Sequence, residues 1–400
     1  MASLLLHNAR VVLESGIQRG GALVVDGKIS EVFANDQVPT GFGAGESIDL
    51  GGAYLAPGMI DIHIHGSTGV DVQATDTAGL TKLSKFLLAE GVTGYFATFV
   101  PMDRRSYGEA VAAVDSYSDQ QSSIQRDKTV DGARVLGIHF EGPFVSERRC
   151  GALRPEHFSS YDGDARSLDL FVGGVPRPRR LMTIAPEIDG GIELARELTG
   201  RGARVFIGHS QAGLETLDSA FEAGARHITH FPNALDSLHH RKPGAVGWGL
   251  LREDVTLDCI ADLHHVHPMM LRLIYRAKSA DRMALISDAI MPAGLGDGEF
   301  SVWGEPIVVR GGRTSLARQP GEDTIAGSVI TLRQALKNVV DLGVPIHEAV
   351  GMASLVPARA AGIDLEVGSI KEGKRADLIA FDDDVQIKLS VLMGRPTFRD

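Results

Sequence analysis

PGMIDIHIHG, residues 57–66, is an apolar, strand-like run that carries two imidazoles one residue apart, His63 and His65. Successive side chains of a β-strand point to opposite faces. A regular strand here puts both rings on one side and Ile62 and Ile64 on the other, so two nitrogen donors converge on one point. Gly66 closes the run, which places the pair where a strand gives way to a loop.

Further β-rich runs follow: VTGYFATF, RVLGIHFEG, LMTIAPE, RVFIGHS, HITHF, VTLDCIAD and MALISDA. Helical stretches with apolar spacing near 3.6, such as LTKLSKFLLAEG and IELARELTGRG, separate them. Alternation of this kind signals parallel β/α units. Eight runs between residues 58 and 290 predict an α/β fold with a closed (β/α)8 TIM barrel, whose usual length is about 250 residues. The helix predicted at SVITLRQALKNVVDLG closes the ring, and the barrel domain is expected over residues 57–362.

Residues 1–56 read differently, as short strands (LLLHNARVVL, GALVVDGKISEVF) with a hairpin signal at Asp26-Gly27. Residues 363–400 return to that character in GSIKEGKRADLIAFDDDVQIKLSVLMG. The two ends are expected to form one small β-sandwich domain beside the barrel. SSYDGDARSLDLFVGGVPRPRR, polar and rich in Gly and Pro, reads as a surface excursion on a barrel loop.

Of the 400 residues, 44% are hydrophobic and 23% charged, as in an ordinary soluble globular protein. Forty Lys and Arg against 51 Asp and Glu leave a formal charge of −11, which argues against a general nucleic-acid or anionic-membrane binder. An anionic ligand would need a locally basic pocket. Two cysteines, Cys150 and Cys259, are too few for a disulfide framework and suit a reducing compartment. MASLLLHNARVV lacks the features of a signal peptide, and no stretch approaches the roughly 18 apolar residues of a membrane span. Cytoplasmic residence is the expectation.

In a barrel of this kind, functional side chains sit where strands end at the C-terminal face. Several runs end on a metal-compatible residue: His63 and His65 on the first, Glu141 on the third, His209 on the fifth, His230 on the sixth and Asp288 on the eighth. Imidazole and carboxylate suit borderline divalent ions such as Zn2+. A lone histidine on an apolar strand is more often a core residue, but six ligand-type residues at strand ends are hard to assign to packing. The set would hold one or two ions. Asp288 could instead cap a helix after strand eight. His139, one layer below Glu141, reads as a barrel-interior residue, and Cys259 as core.

The motifs PGMIDIHIHG, HFEGPF, GHS, THFPNAL, the RKPG after it, LISDAIMPAG, AGSVITL and GSIKEGKRADL span about residues 57 to 378. By them the chain resembles the amidohydrolase superfamily and, within it, the N-acetylglucosamine-6-phosphate deacetylase family. The resemblance implies metal-dependent removal of the acetyl group from a phosphorylated N-acetyl amino sugar. It implies one metal site at His63, His65 and Glu141 and another at Glu141, His209 and His230, filled by Zn2+ first, with Fe2+, Mn2+ or Co2+ as alternatives. Asp288 becomes the general acid and base.

Substrate contacts are implied at Gly151, Ala152, Asn233, Ala234, Arg241 and His265, with His264 and His267 competing for the last role. The resemblance further implies a homodimer in which Arg241 reaches the neighbouring subunit's site. In the loop after Glu141 this chain departs from the family pattern, with Leu153 and Arg154 where relatives commonly have His and Asn. Two other readings stay open: a deacetylase for the galactosamine epimer or another amide, and a non-catalytic scaffold, which should have lost ligands that this chain keeps.

Overall fold

The computed structural model describes residues 3–35, 37, 39, 42–43, 45–124, 132–173, 179–318 and 324–399. Eight parallel strands form its central sheet: β1 (Met59–Ile64), β2 (Val92–Phe99), β3 (Arg134–Glu141), β4 (Arg179–Ile184), β5 (Arg204–Ile207), β6 (His227–Ile228), β7 (Thr256–Ile260) and β8 (Met283–Ile286). They lie side by side in chain order, and the edges β8 and β1 are tied by Asp288 N–H donating to His63 O (2.9 Å) and His65 N–H to Ala289 O (2.8 Å). This is the predicted barrel, with its seam at the rim that carries the candidate ligands.

Helices cover the outside for the reason the periodicity gives. Thr77–Ala89 starts where the Asp76 side chain accepts the Gly79 N–H and turns Leu80, Leu83, Leu87 and Leu88 inward. Each such leucine is worth about 1.5–3 kcal/mol when buried. The expected closing helix is Leu332–Asp341, capped by Thr331. The apolar sides of the strands split accordingly. Tyr95, Ile138, Phe140, Met182 and Ile207 pack outward with the helices, while Phe96, Leu181, Phe206, Ile260 and Ile286 fill the interior.

Both chain ends meet in a second, eight-stranded sheet, where Tyr54–Pro57 pairs on one side with Ser3–Leu13 and on the other, antiparallel, with Leu378–Phe381. Gly16–Val25 and Lys28–Ala34 form the expected hairpin, with Asp26 and Gly27 at φ 48° and 79° in its two-residue turn.

Three features differ from the reading of the sequence. First, β1 is not a regular strand. Its pairing with β2 slips between Asp61 and Ile64, so Ile62 and His63 together oppose Phe96, and Ile62 joins the interior cluster while Ile64 packs outward. A β-bulge has this effect: it adds one residue, breaks the alternation and re-aims a side chain. Second, the stretch between β3 and β4 is more than a surface excursion, because Leu168 and Phe171 are buried in the main core; its residues 174–178 lie outside the described residues. Third, a three-stranded sheet, Gly298–Val302, Glu305–Arg310 and Arg313–Leu316, follows β8 and was not anticipated.

Candidate metal centre

Most of the candidate ligands owe their position to a local departure from regular structure. The bulge in β1 aims His63 into the barrel mouth beside His65, their Nε2 atoms 3.1 Å apart. Glu141 closes β3 with its side chain inward, above His139. His209, His230 and Asp288, just beyond β5, β6 and β8, take left-handed backbone angles (φ 48°, 35° and 48°). For a non-glycine residue that conformation costs about 1–2 kcal/mol. It persists where surrounding bonds over-determine it. Asp288 O accepts the Ser328 N–H at 2.7 Å, and the buried Asp258 carboxylate, itself 2.8 Å from His227 Nε2, accepts the His230 N–H.

These elements bring all six side chains together, every one of them buried. Glu141 Oε1 lies 2.9 Å from His209 Nε2 and 3.0 Å from His230 Nε2, while Oε2 lies 3.4 Å from His65 Nε2 and 3.7 Å from His63 Nε2. Asp288 Oδ1 is 3.1 Å from His65 Nε2 and 3.4 Å from His63 Nε2. Among the described residues, the donor atoms of His63, His65 and Glu141, and those of Glu141, His209 and His230, each fall within 4.8 Å of one another. Glu141 is common to both sets.

The donor set fits a divalent cation. His65 Nδ1 faces Thr98 O (3.2 Å) and His209 Nδ1 faces Arg149 O (2.8 Å). A carbonyl oxygen only accepts, so both Nδ1 atoms carry the proton and, in the neutral ring, Nε2 presents a lone pair to the centre. Ring nitrogens converge there, with His209 and His230 Nε2 only 3.0 Å apart. Such crowding is relieved by a shared positive charge. His139 is different: Nδ1 accounts for Ile62 O (2.9 Å) and Nε2 for Thr183 Oγ1 (2.8 Å), leaving no free nitrogen. Burial pushes its pKa well down, so it stays neutral.

Charge in the bare site is strongly polarised. Burial pushes the Glu141 carboxyl up, but the His63 charge and hydrogen bonds from His209 and His230 outweigh it and hold it well below the usual carboxylate range. Burial pushes His63 down, yet Asp288 and Glu141 beside it raise it to about 9. Below that pH the metal-free His63 is protonated, and a cation must displace the proton to bind. Metal affinity is therefore expected to rise with pH, by about tenfold per unit from neutral to near 9, and chelator competition at stepped pH checks this.

Asp258 and His227 were not identified from the sequence as part of the site, although they support His230 from below. Asp258→Ala is expected to weaken metal binding about 10- to 100-fold. Asp258→Asn, which keeps an oxygen for the His230 N–H, should recover much of that loss in the same competition assay.

A cavity of about 280 Å³ opens over this centre. Gly151, Ala152, Asn233, Ala234 and His265 line it, as do Leu153 and Trp303. His265 is held by Asp262, Nδ1 to Oδ2 2.7 Å. Its competitors stand elsewhere: His264 is exposed, and His267 caps the helix Pro268–Lys278. Arg241 is not brought to the cavity of its own chain; it is exposed, with Nη1 2.8 Å from His240 Nε2. No helix starts at Asp288, so the capping alternative falls away. Cys259 is buried, and Cys150 lies partly exposed beside Gly151. Trp303 was also missed; the signal was a Trp-Gly turn between two alternating runs in SVWGEPIVVR.

A parallel barrel whose C-terminal rim gathers imidazoles and a shared carboxylate over a cavity is the architecture of a metal-dependent hydrolase. The chain belongs to the amidohydrolase family, whose pattern matches residues 54–398. It is 33% identical over 384 residues to an N-acetylglucosamine-6-phosphate deacetylase of Vibrio furnissii, covering 95% of this chain and 92% of that protein. It is 35% identical over 342 residues to an N-acetylgalactosamine-6-phosphate deacetylase of Escherichia coli O157:H7, covering 85% and 87%. Among solved structures, an N-acetyl-D-glucosamine-6-phosphate deacetylase from Mycobacterium smegmatis, an Asp-to-Ala variant in complex with N-acetyl-D-glucosamine-6-phosphate, superposes with a TM-score of 0.84 at 29% identity, covering 99% of this chain and 100% of that one.

Proposed function

We propose that this chain hydrolyses the acetamide of N-acetyl-D-glucosamine 6-phosphate to D-glucosamine 6-phosphate and acetate. The observation that carries the reading is the sharing of Glu141 between two imidazole pairs, with Asp288 at 3.1 Å from His65, in a cavity also lined by Asn233, Ala234 and His265. Residues His63, His65, Glu141, His209 and His230 would hold one or two divalent ions, Zn2+ first among them. Such an ion, when bound, lowers the pKa of a water to about 7 and polarises the carbonyl under attack.

The chain's own groups do the rest. In the metal-free site burial pushes Asp288 up, but the charges of His63 and His65 and a hydrogen bond from His65 hold it below the usual carboxylate range; once those rings are neutral ligands, a bound cation would supply the positive charge that keeps it ionised and ready to accept a proton. It takes the proton of the attacking water and returns it to the leaving nitrogen. Backbone groups at Asn233 and Ala234, with His265, face the phosphate. Arg241 completes that site from a second copy of the chain in a homodimer, since its planar fork suits phosphate oxygens and its own cavity is out of reach. Leu238, three residues before Arg241, is exposed (52%) and would add apolar surface to the contact. We divide the chain into residues 1–56 and 363–400 as one β domain and 57–362 as the catalytic barrel. Among the described residues no helix is long and apolar enough to cross a membrane. The two free cysteines suit the cytoplasm.

Acetate release from N-acetylglucosamine 6-phosphate, with metal measured on the same sample, tests the reading; metal-loaded protein that releases none would overturn it. The galactosamine epimer is the second reading, favoured by the E. coli relative. A higher kcat/KM on the galacto substrate would put it first.

A further inference from the structure

The cavity has two unlike walls. On the side of β6 and β7 stand Asn233, Ala234 and His265, which offer polar groups. Leu153 and Trp303 make an apolar wall: Leu153 is buried against Val100 and Val145, just past the ends of β2 and β3, with Trp303 packed on the same cluster. The Trp303 ring stands edge-on to His65 at the end of β1, centroids 5.0 Å apart and planes at 75°. In the order of the barrel sheet, β2 and β3 lie four strands from β6 and β7, which is halfway round. The reactive carboxylates Glu141 and Asp288 line the same cavity.

Trp303 is also in an unusual place. It occupies the first position of the two-residue turn that joins Gly298–Val302 to Glu305–Arg310, and both it and Gly304 have positive φ, 54° and 80°. That turn favours Asn, Asp or Gly at its first position. A bulky side chain there is strained, and backbone strain of this kind concentrates at functional sites.

We infer that Trp303 and Leu153 form the wall of the acyl subsite and restrict the hydrolysed amide to a short acyl group such as acetyl. The inference rests on the function proposed above. With the sugar phosphate directed to the β6–β7 side, the substituent on the other side of the scissile carbon faces the apolar wall. A methyl group would pack against the Leu153 side chain and the Trp303 ring, whereas each added methylene would have to displace one of them. Across a hydrophobic pocket one methylene changes kcat/KM by roughly 10- to 200-fold.

The test compares kcat/KM for the N-acetyl, N-propionyl and N-butyryl forms of glucosamine 6-phosphate in wild type, Trp303→Ala and Leu153→Ala, with bound metal measured in each. Wild type should prefer acetyl. Each variant should raise the butyryl-to-acetyl ratio by about tenfold or more. Leu153→Ala stands on a different loop and decides the matter if Trp303→Ala does not fold. Ratios unchanged in the variants, in a wild type active on acetyl, overturn the wall and leave the function standing. So does a Trp303→Ala protein that loses metal and all three activities in proportion, because the ring would then serve His65 alone. A metal-loaded wild type inactive on every acyl form removes the function itself.

Discussion

Replacing Asp288 by Asn is expected to lower kcat on N-acetylglucosamine 6-phosphate by roughly 10²- to 10⁴-fold, the usual worth of a positioned acid or base, with bound metal staying at the wild-type level. Asn has nearly the same shape, and the bonds that fix residue 288 are backbone bonds, from its N–H to His63 O and from Ser328 N–H to its own carbonyl. Both survive the change. What disappears is an ionised oxygen 3.1 Å from His65 Nε2, in a place where the neighbouring imidazoles keep the carboxyl below its usual range despite burial. An amide can neither accept the water's proton nor deliver it to the leaving nitrogen. Single-turnover rates with metal analysis check this. If metal and rate fall together, Asp288 is a ligand and the proton must travel by another group.

Glu141→Ala is expected to have the larger effect because that carboxylate belongs to both donor sets. Bound metal should fall well below the wild-type content, and kcat/KM should fall on the order of 10³-fold or more, since a metal contributes several kcal/mol of charge stabilisation and each 1.4 kcal/mol is tenfold. Stability of the metal-free protein should change too. Breaking a buried ion pair costs about 3–5 kcal/mol, and here the charge left behind is His63. Burial alone would raise the Glu141 carboxyl, but the facing imidazoles hold it well below the unfolded value. A depressed carboxylate stabilises the fold fully above the unfolded pKa of about 4.3 and loses that contribution as pH falls through the folded value. The stability gap between wild type and variant should therefore be widest near neutrality and close in acid. Denaturant melts of both apo proteins across that range measure it, and a gap that does not depend on pH would mean that Glu141 is not charged in the apo fold.

The barrel and the residues at its rim were largely legible in the sequence. Strand runs such as RVLGIHFEG and RVFIGHS announce themselves by composition and by the helices between them, and each ends on its donor before a turn residue. Those signals are local. The bulge in β1 was not legible, because whether Ile62 faces the helices or the interior depends on register with β2, thirty residues away. Trp303 looked like one more turn residue until the fold brought it to His65. Asp258 looked like a strand interior residue, and its use, holding His230 by the backbone N–H, depends on β6 and β7 being neighbours.

What the sequence determined by itself is therefore the set of elements and the chemical type of the centre: alternating β and α segments, and imidazole and carboxylate donors where strands end. Period and turn chemistry act over a few residues, and that range suffices for both. Only the tertiary structure decided which donors share Glu141, which nitrogens are free to bind, how the cavity divides into a polar and an apolar wall, and that Arg241 stands outside its own chain's cavity. Those facts are distances between residues far apart in the chain. They are set by strand register, barrel closure and the path of loops, which no short stretch of sequence contains.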